Sequence, residues 1–142
     1  MGKDVRSKRG KKVRPGNKPI TASEWEIIER AKTSGCIPCI IWREQGNAWK
    51  MRFGVFMYAG WDHSLRGGIR IGHLAGFASC NWHHQGYTID ACPQVSAREM
   101  ERMYGPSKAH GSIPFHRAFG SEEQLIHRQA VHLGLDPLSQ SR

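Results

Sequence analysis

Cys80-Asn-Trp-His83 is a C-x2-H pair, and forty residues separate it from the C-x2-C pair Cys36-Ile-Pro-Cys39. A two-residue spacing lets two side chains of one tight turn reach the same ion. Two such turns supply the four ligands that tetrahedral zinc prefers. The separation is longer than the roughly 12–15 residues of a simple zinc finger, so a hairpin and a loop are expected between the pairs. A four-ligand shell has no open position, so we predict a structural zinc site whose occupation is part of folding.

The cysteines allow two other interpretations. They could be ordinary buried thiols, or four cysteines could form two disulfides. The basic N-terminus has no apolar stretch behind it and is not a secretory signal, which indicates a reducing compartment where clustered Cys and His more often hold metal. Cys92 lies outside both pairs and is interpreted as a buried or free thiol.

A second group of residues fits phosphodiester hydrolysis. We call the C-x2-C and C-x2-H pairs of predicted metal ligands the metal pairs. Asp62 and His63 lie between them, and His84 directly follows the second pair. The reaction needs a base for water and a hard cation for the phosphate and the leaving oxygen. An imidazole titrates near neutrality, so His63 is the candidate base. Asp62 and His84 are candidate ligands of a catalytic Mg²⁺ or Mn²⁺ ion.

The geometry of this catalytic group is only partly defined by the sequence. Adjacent strand residues point to opposite faces, so Asp62 and His63 can share a site only if the strand bends or bulges at its end. A third histidine should come from farther along the chain, and His110 is preferred to His116, although spacing cannot decide between them.

Positive charge is concentrated at the N-terminus. The net charge is +9, and residues 1–18 carry +7 of it, because eight basic side chains are opposed by Asp4 alone. Such an arm cannot bury apolar surface and is expected to be disordered. Its partner should be a polyanion bound in a salt-dependent way, although a solubilising tail is the simpler alternative. The predicted DNA contacts are Lys8, Arg9, Lys11, Lys12 and Arg14, with Arg66 and Arg70 in a glycine-rich loop.

The 142 residues are the size of one α+β domain with flanking helices. Capping patterns predict helices over 21–34, 97–104 and 122–133, and a short helix should follow Cys80. Aromatic and branched residues favour strands over 49–61 and 74–79, with a loop over 66–72. We expect a disordered arm over 1–19, a nuclease-like domain over 20–134 and a frayed tail over 135–142. No apolar run approaches the roughly 20 residues of a membrane helix.

The combination of these motifs resembles a known family. The segment from Asp62 to His73, with its Gly67-Gly68 and Gly72-His73 pairs, is followed by Cys80-Asn-Trp-His83-His84-Gln-Gly86. The pattern continues through Tyr104-Gly-Pro-Ser107, Pro114-Phe-His116 and Phe119-Gly-Ser-Glu122. Over roughly residues 20–130 the chain is similar to the phage recombination enhancement function (Ref) family, RecA-dependent nucleases of the HNH superfamily.

The resemblance implies a zinc-stabilised HNH (ββα-metal) fold, a flexible basic arm and magnesium-dependent cutting of DNA where a RecA filament has paired strands. It implies structural roles for Cys36, Cys39, Cys80 and His83, a general base at His63, and Asp62 and His84 at the catalytic metal. Many relatives have His at the position of Asp62, but a carboxylate is at least as good a ligand for a hard cation. The expected location is the cytoplasm of a bacterial or phage-infected cell.

The sequence leaves three rival functions open. A non-catalytic DNA-binding zinc module would keep the metal pairs and the arm, and would use His63 and His84 structurally. A free-standing HNH endonuclease would cut naked duplex DNA without RecA. A disulfide-bonded protein would contain no zinc.

Overall fold

The computed structural model describes residues 19–63, 65–66, 69–70, 74–89 and 94–135, with the backbone alone described at 65–66 and 69–70. This part of the chain confirms the α+β class. Its helices are α1 (Ala22–Thr33), α2 (Ile37–Trp42), α3 (Asn81–Gln85), α4 (Ala97–Tyr104), α5 (Ser112–Phe119) and α6 (Glu122–His132). Its strands are β1 (Gly60–His63), β2 (Leu65–Arg66), β3 (Ile69–Arg70) and β4 (Gly76–Ser79). None of the helices in these ranges combines the length and apolar character that a bilayer-crossing segment requires.

The central sheet consists of β1 and β4, which pair antiparallel from Gly60↔Ser79 to His63↔Gly76. All four residues of β4 are buried. Phe77 and Ala78 belong to different hydrophobic clusters, because successive side chains of a strand point to opposite faces. The strand β4 is therefore covered on both faces, and α3 begins directly after it at the residue that follows Cys80.

Two hydrophobic clusters form the core. The larger contains the three described cysteines and joins α1, β4, α3 and α4 through Ala31, Ala78, Trp82, Met100 and Tyr104. The smaller joins α2, β4, α5 and α6 through Ile37, Ile40, Phe77, Phe115, Phe119 and Leu125. Because β4 contributes to both clusters, a shift of this strand would disturb the packing of both.

The predicted capping patterns mark real helix starts. Thr21 and Glu24 form a complete capping box at α1, and Ser121 and Gln124 form another at α6. The Ser96 hydroxyl accepts a hydrogen bond from the Glu99 amide at α4. Each cap satisfies amides that the first helical turn leaves without intrahelical partners. The helices predicted over 21–34, 97–104 and 122–133 are confirmed within a residue or two.

The strand predicted over 49–61 is wrong for most of its length. Ala48–Lys50 is a 3₁₀ turn, and regular pairing starts only at Gly60. The Tyr104 hydroxyl accepts a hydrogen bond from the Phe53 amide and donates one to the Gly54 carbonyl. The backbone at Phe53 and Gly54 therefore forms hydrogen bonds with a side chain instead of with a neighbouring strand. Gly54 also has a φ of +69°, which is not a strand conformation. The aromatic residues pack individually against the core, so their β propensity misled the prediction.

Three further elements differ from the prediction. Helices α2 and α5 were not predicted, because each has a proline in its first turn, Pro38 and Pro114, a position that the helix tolerates. The segment predicted as a loop over 66–72 contains a short hairpin, in which β2 pairs antiparallel with β3. Nearly all of the predicted arm over 1–19, and the tail beyond residue 135, lie outside the described residues.

Candidate functional site

The two metal pairs occupy equivalent positions in the fold, because each begins a short helix. Cys36 is the N-cap of α2, and its sulfur accepts a hydrogen bond from the Cys39 amide at 3.4 Å. Cys80 is the N-cap of α3, and its sulfur accepts one from the His83 amide at 3.5 Å. Amides at a helix start favour a thiolate, which is the form that binds metal.

Cys36, Cys39, Cys80 and His83 form one buried cluster whose ligand atoms all lie within 4.8 Å of one another. The His83 Nδ1 atom lies 3.5, 3.7 and 3.3 Å from the sulfurs of Cys36, Cys39 and Cys80, and the last two sulfurs are 4.0 Å apart. In a tetrahedral site with zinc–ligand bonds of about 2.0–2.3 Å, two ligand atoms lie roughly 3.5–3.8 Å from each other. The cluster therefore fits a zinc ion, and these thiols are not in disulfides.

The orientation of His83 suits metal binding. Its Nε2–H donates to the Tyr104 carbonyl at 2.8 Å, which directs Nδ1 towards the three sulfurs. An outer hydrogen bond of this kind fixes the tautomer of a metal-ligating histidine. Cys92, the remaining cysteine, lies outside the described residues.

The thiols of the cluster differ in acidity. Burial raises the pKa of Cys36 and of Cys39 well above the ordinary value. Burial also opposes ionisation of Cys80, but hydrogen bonds from the other two thiols and the nearby His83 outweigh it, so the pKa of Cys80 is lowered. The pKa of Cys80 is thus shifted in the opposite direction from those of Cys36 and Cys39.

A separate cavity of about 690 Å³ opens beside this cluster. Its lining comes from β1, α3, the Lys108–His110 3₁₀ turn, α5 and the start of α6. The lining residues are Trp61, Asp62, His63, His84, Lys108, Ala109, His116 and Glu122. Since His84 directly follows the cluster residue His83 on α3, the cluster fixes one wall of the cavity.

Asp62 is the most buried acidic group of the cavity, with 4% of its surface exposed. Its Oδ1 lies 4.0 Å from the His84 Nε2. Both of its carboxylate oxygens lie 3.3 Å from the Lys108 ammonium, which donates to them. The carboxylate and the imidazole predicted as metal ligands are therefore neighbours.

His63 is the last residue of β1 and lines the same cavity as Asp62. Its ring meets the ring of Trp61 edge to face, with centroids 6.5 Å apart. The expected bulge is absent from the described ladder, which pairs without interruption from Gly60 to His63. The two adjacent side chains line one cavity at the point where the regular pairing ends.

The structure places His116, not the preferred His110, at the cavity. The His116 Nδ1–H donates to the Gly120 carbonyl at 2.8 Å, an arrangement that leaves Nε2 as the basic nitrogen of the neutral ring. His110 instead packs edge to face on Trp82, with ring centroids 5.3 Å apart. Spacing could not decide between the two histidines, because the helix α5 that carries His116 was not predicted.

Lys108 and Glu122 are cavity residues that the sequence did not suggest. The Lys108 ammonium bridges Asp62 and Glu122, and it lies 3.2 and 3.5 Å from the two Glu122 oxygens. Ser107 caps the turn that carries the lysine, and Ser121 caps the helix that carries the glutamate. Both caps are visible in the sequence, but their convergence on Asp62 depends on tertiary packing.

The predicted DNA contacts lie where the structure describes no side chains. Arg66 and Arg70 lie in β2 and β3, of which only the backbone is described. Lys8, Arg9, Lys11, Lys12 and Arg14 lie outside the described residues.

Comparison with known proteins gives one match. Residues 20–133 match the sequence model of the family described as "Recombination enhancement, RecA-dependent nuclease". That range covers the cysteine cluster and every lining residue of the cavity. No curated protein and no solved structure matched the chain.

Proposed function

We propose that this chain, which belongs to the recombination-enhancement family of RecA-dependent nucleases, is a metal-dependent DNA endonuclease of the HNH type. Membership confirms the resemblance seen in the sequence and makes DNA the substrate. The HNH assignment is supported by the arrangement of three elements, since β1 pairs with β4 and α3 follows β4 directly. The proposed reaction is hydrolysis of a phosphodiester bond in DNA that RecA has paired.

One observation carries the proposal: Asp62, His63 and His84 line a single cavity, and His84 is attached to the buried cysteine cluster. Hydrolysis of a phosphodiester needs a base and a cation at one point. The rival DNA-binding module has no need for a buried carboxylate and two half-exposed imidazoles at one opening.

The residues take separate roles in this reaction. Asp62 and His84 would hold the divalent ion, since a carboxylate oxygen suits Mg²⁺ or Mn²⁺ and the His84 imidazole lies 4.0 Å from it. Such an ion neutralises charge at the phosphate and the leaving oxygen. His63 accepts the proton of the attacking water, for which an imidazole is matched near neutral pH. His116 is the third histidine of the site, oriented by the Gly120 carbonyl.

The cysteine cluster has a structural role in the proposal. Cys36, Cys39, Cys80 and His83 would bind one zinc ion that joins the starts of α2 and α3. The four protein ligands leave no position for water or substrate. The zinc would hold His84 in place, and the chemistry would occur at the second, exchangeable ion.

The N-terminal basic residues and the two arginines of the hairpin would bind DNA phosphates. Their charge supports affinity without sequence specificity. The place of cleavage would then be selected by RecA, which forms the paired DNA, in agreement with the family description.

The direct test is strand cleavage of labelled DNA on a RecA filament paired with duplex, with Mg²⁺ or with EDTA. We expect nicks with Mg²⁺ and none with EDTA, and none in His63→Ala. Naked duplex in parallel separates a free-standing endonuclease, which would cut it equally well. Binding of DNA with no cleavage under any condition would refute the nuclease and leave the DNA-binding zinc module.

A further inference from the structure

Lys108 occupies an unusual position in the cavity. Its ammonium lies within 3.5 Å of four carboxylate oxygens, two from Asp62 and two from Glu122. The Asp62 side chain is 5% exposed and the Glu122 side chain 27% exposed. A single cation shared by two carboxylates marks the point where their negative potentials add.

The same point is also close to an imidazole. The His84 Nε2 is 4.0 Å from the Asp62 oxygen that Lys108 contacts. Hard divalent cations in proteins are held by one or two carboxylates, and Mn²⁺ accepts imidazole as well. The four oxygens at the ammonium and the nearby imidazole nitrogen are thus the kinds of atom that such a cation binds.

We propose that Glu122 is a second carboxylate ligand of the divalent ion, and that the Lys108 ammonium holds the ion's place until the ion binds. This inference rests on the proposed function, because it concerns the exchangeable ion of that site. It assigns roles to two residues outside the Asp62, His63 and His84 group.

Charge balance favours the exchange. Two carboxylates carry two negative charges, and the single positive charge of Lys108 leaves one of them uncompensated. A divalent ion compensates both. The ion and the ammonium repel each other at such short range, so they cannot occupy the point together.

The local structure suits a lysine that enters and leaves. The Lys108 side chain passes over the ring of Phe77, with the ammonium 5.8 Å from the ring centroid, and Phe77 pairs with Asp62 across the sheet. Glu122 is held at the first position of α6 by the Ser121 cap. The carboxylates are thus fixed by the sheet and a helix start, whereas the ammonium ends a flexible four-carbon chain.

The experiment is a Mn²⁺ titration of the zinc-loaded full chain without DNA, with free Mn²⁺ followed by electron paramagnetic resonance. Lys108→Met keeps the apolar stem and removes the charge, and we expect it to bind Mn²⁺ roughly tenfold more tightly. Lys108→Arg, a larger cation with bidentate geometry, should bind Mn²⁺ more weakly than wild type. Glu122→Gln should weaken binding by roughly tenfold or more.

Two matched substitutions serve as controls. Lys50→Met removes a lysine that lies over the Trp42 and Trp49 rings, and Glu44→Gln removes a carboxylate paired with Arg128. Neither residue lines the cavity, and neither change should alter Mn²⁺ affinity. A thermal melt adds a second measurement: Lys108→Met should lower the metal-free melting temperature, and saturating Mn²⁺ should restore it.

The outcomes separate this inference from the proposed function. Unchanged or weaker Mn²⁺ binding in Lys108→Met overturns the placeholder role, and unchanged binding in Glu122→Gln overturns the ligand role. If Asp62→Asn abolishes Mn²⁺ binding in the same experiment, the metal site at Asp62 and His84 stands even where the Lys108 or Glu122 result overturns the further inference. If Asp62→Asn binds like wild type, the proposed metal site fails as well.

Discussion

At the scale of single residues, Asp62 and His63 show how adjacent side chains come to line one cavity. Within β1 they point to opposite faces, and Phe77 and Gly76 pair with them across the sheet. Both Asp62 and His63 nevertheless line the cavity at the end of the strand, together with His84 of α3 and His116 of α5. Adjacent residues can therefore take different roles, one as a metal ligand and one as a base.

His63→Ala should abolish cleavage and leave the fold intact. The base contributes roughly 10²–10⁴-fold to such reactions, so we expect a loss of cleavage rate in that range. His63 is half-buried and is the last residue of β1, outside both hydrophobic clusters. The rate is measured on RecA-paired DNA with Mg²⁺, and the fold is checked by a thermal melt.

The matched control is His127→Ala, which changes an exposed histidine of α6 outside the cavity. It should cleave like wild type. Full cleavage by His63→Ala, or equal losses in both variants, would remove His63 from the role of base.

The sequence predicted several residues of the cavity but not the side chains that contact them. Asp62 and His63 stood out as an adjacent acid and imidazole between the two metal pairs, and His84 because it directly follows the second pair. Lys108 and Glu122 did not, because each reaches the cavity from an element whose position depends on tertiary packing. No spacing rule connects residue 62 with residue 122.

At the scale of elements, the pairing of β4 with β1 leaves no room for a side chain at Gly76. A methyl group at Gly76 would lie 2.6 Å from the Asp62 carbonyl oxygen and 2.9 Å from the Trp61 ring. Such distances are too short for any side chain, so Gly76 permits the pairing that positions Asp62 and His63.

Gly76→Ala should therefore displace the end of β1. We expect a destabilisation of roughly 1–3 kcal/mol, the usual cost of overpacking, and a loss of cleavage beyond what the stability change explains. The measurements are chemical denaturation and the cleavage rate well below the melting temperature.

Gly60→Ala is the control from the same strand pair. A methyl group there meets the Ser79 carbonyl at 3.6 Å, an ordinary contact. It should change stability and cleavage only slightly. Equal effects of the two substitutions would show that the close approach at Gly76 is unimportant.

The cysteine cluster joins two helix starts that are distant in sequence. Cys36→Ser should prevent zinc binding and lose most of the cooperative folding, because zinc affinity is part of the folding free energy. Zinc content is measured by native mass spectrometry, and folding by a thermal melt.

Cys92→Ser makes the same chemical change outside both pairs and should retain one zinc ion. A Cys36→Ser protein that melts like wild type would count against the structural zinc.

Helices and strands were predicted correctly where the nearby sequence itself shows how they begin. Helices α1, α4 and α6 begin at Ser or Thr caps, which local sequence displays. The segment from 49 to 59 has the aromatic and branched residues of a strand, but its backbone at Gly54 is bonded by a tyrosine 50 residues away. Local propensity cannot report such a partner.

At the scale of the whole molecule, the concentrated positive charge and the cavity are separated along the chain. Residues 1–18 hold +7 of the net charge of +9, whereas the cavity and the cysteine cluster lie within residues 36–122. Affinity for DNA and cleavage of DNA should then be separable by truncation.

Deletion of residues 1–18 should weaken DNA binding, flatten its salt dependence and leave zinc bound. For every phosphate that is no longer neutralised, the slope of log affinity against log salt falls by about 0.9 for duplex DNA. The slope is measured by fluorescence anisotropy from low to physiological salt.

A chain with the same arm residues in scrambled order keeps the charge and should bind like wild type. Unchanged affinity and slope in the truncated protein would refute the role of the arm.

The central claim is that one exchangeable divalent ion binds beside Asp62 and His84, within reach of His63. The measurement that tests it most directly is paramagnetic broadening of histidine imidazole signals during a Mn²⁺ titration of the zinc-loaded protein. The signals of His63, His84 and His116 should broaden first. That of His132, ten residues or about 15 Å along α6 from Glu122, should persist. Uniform broadening of all four signals, or none at His63 and His84, would contradict the claim.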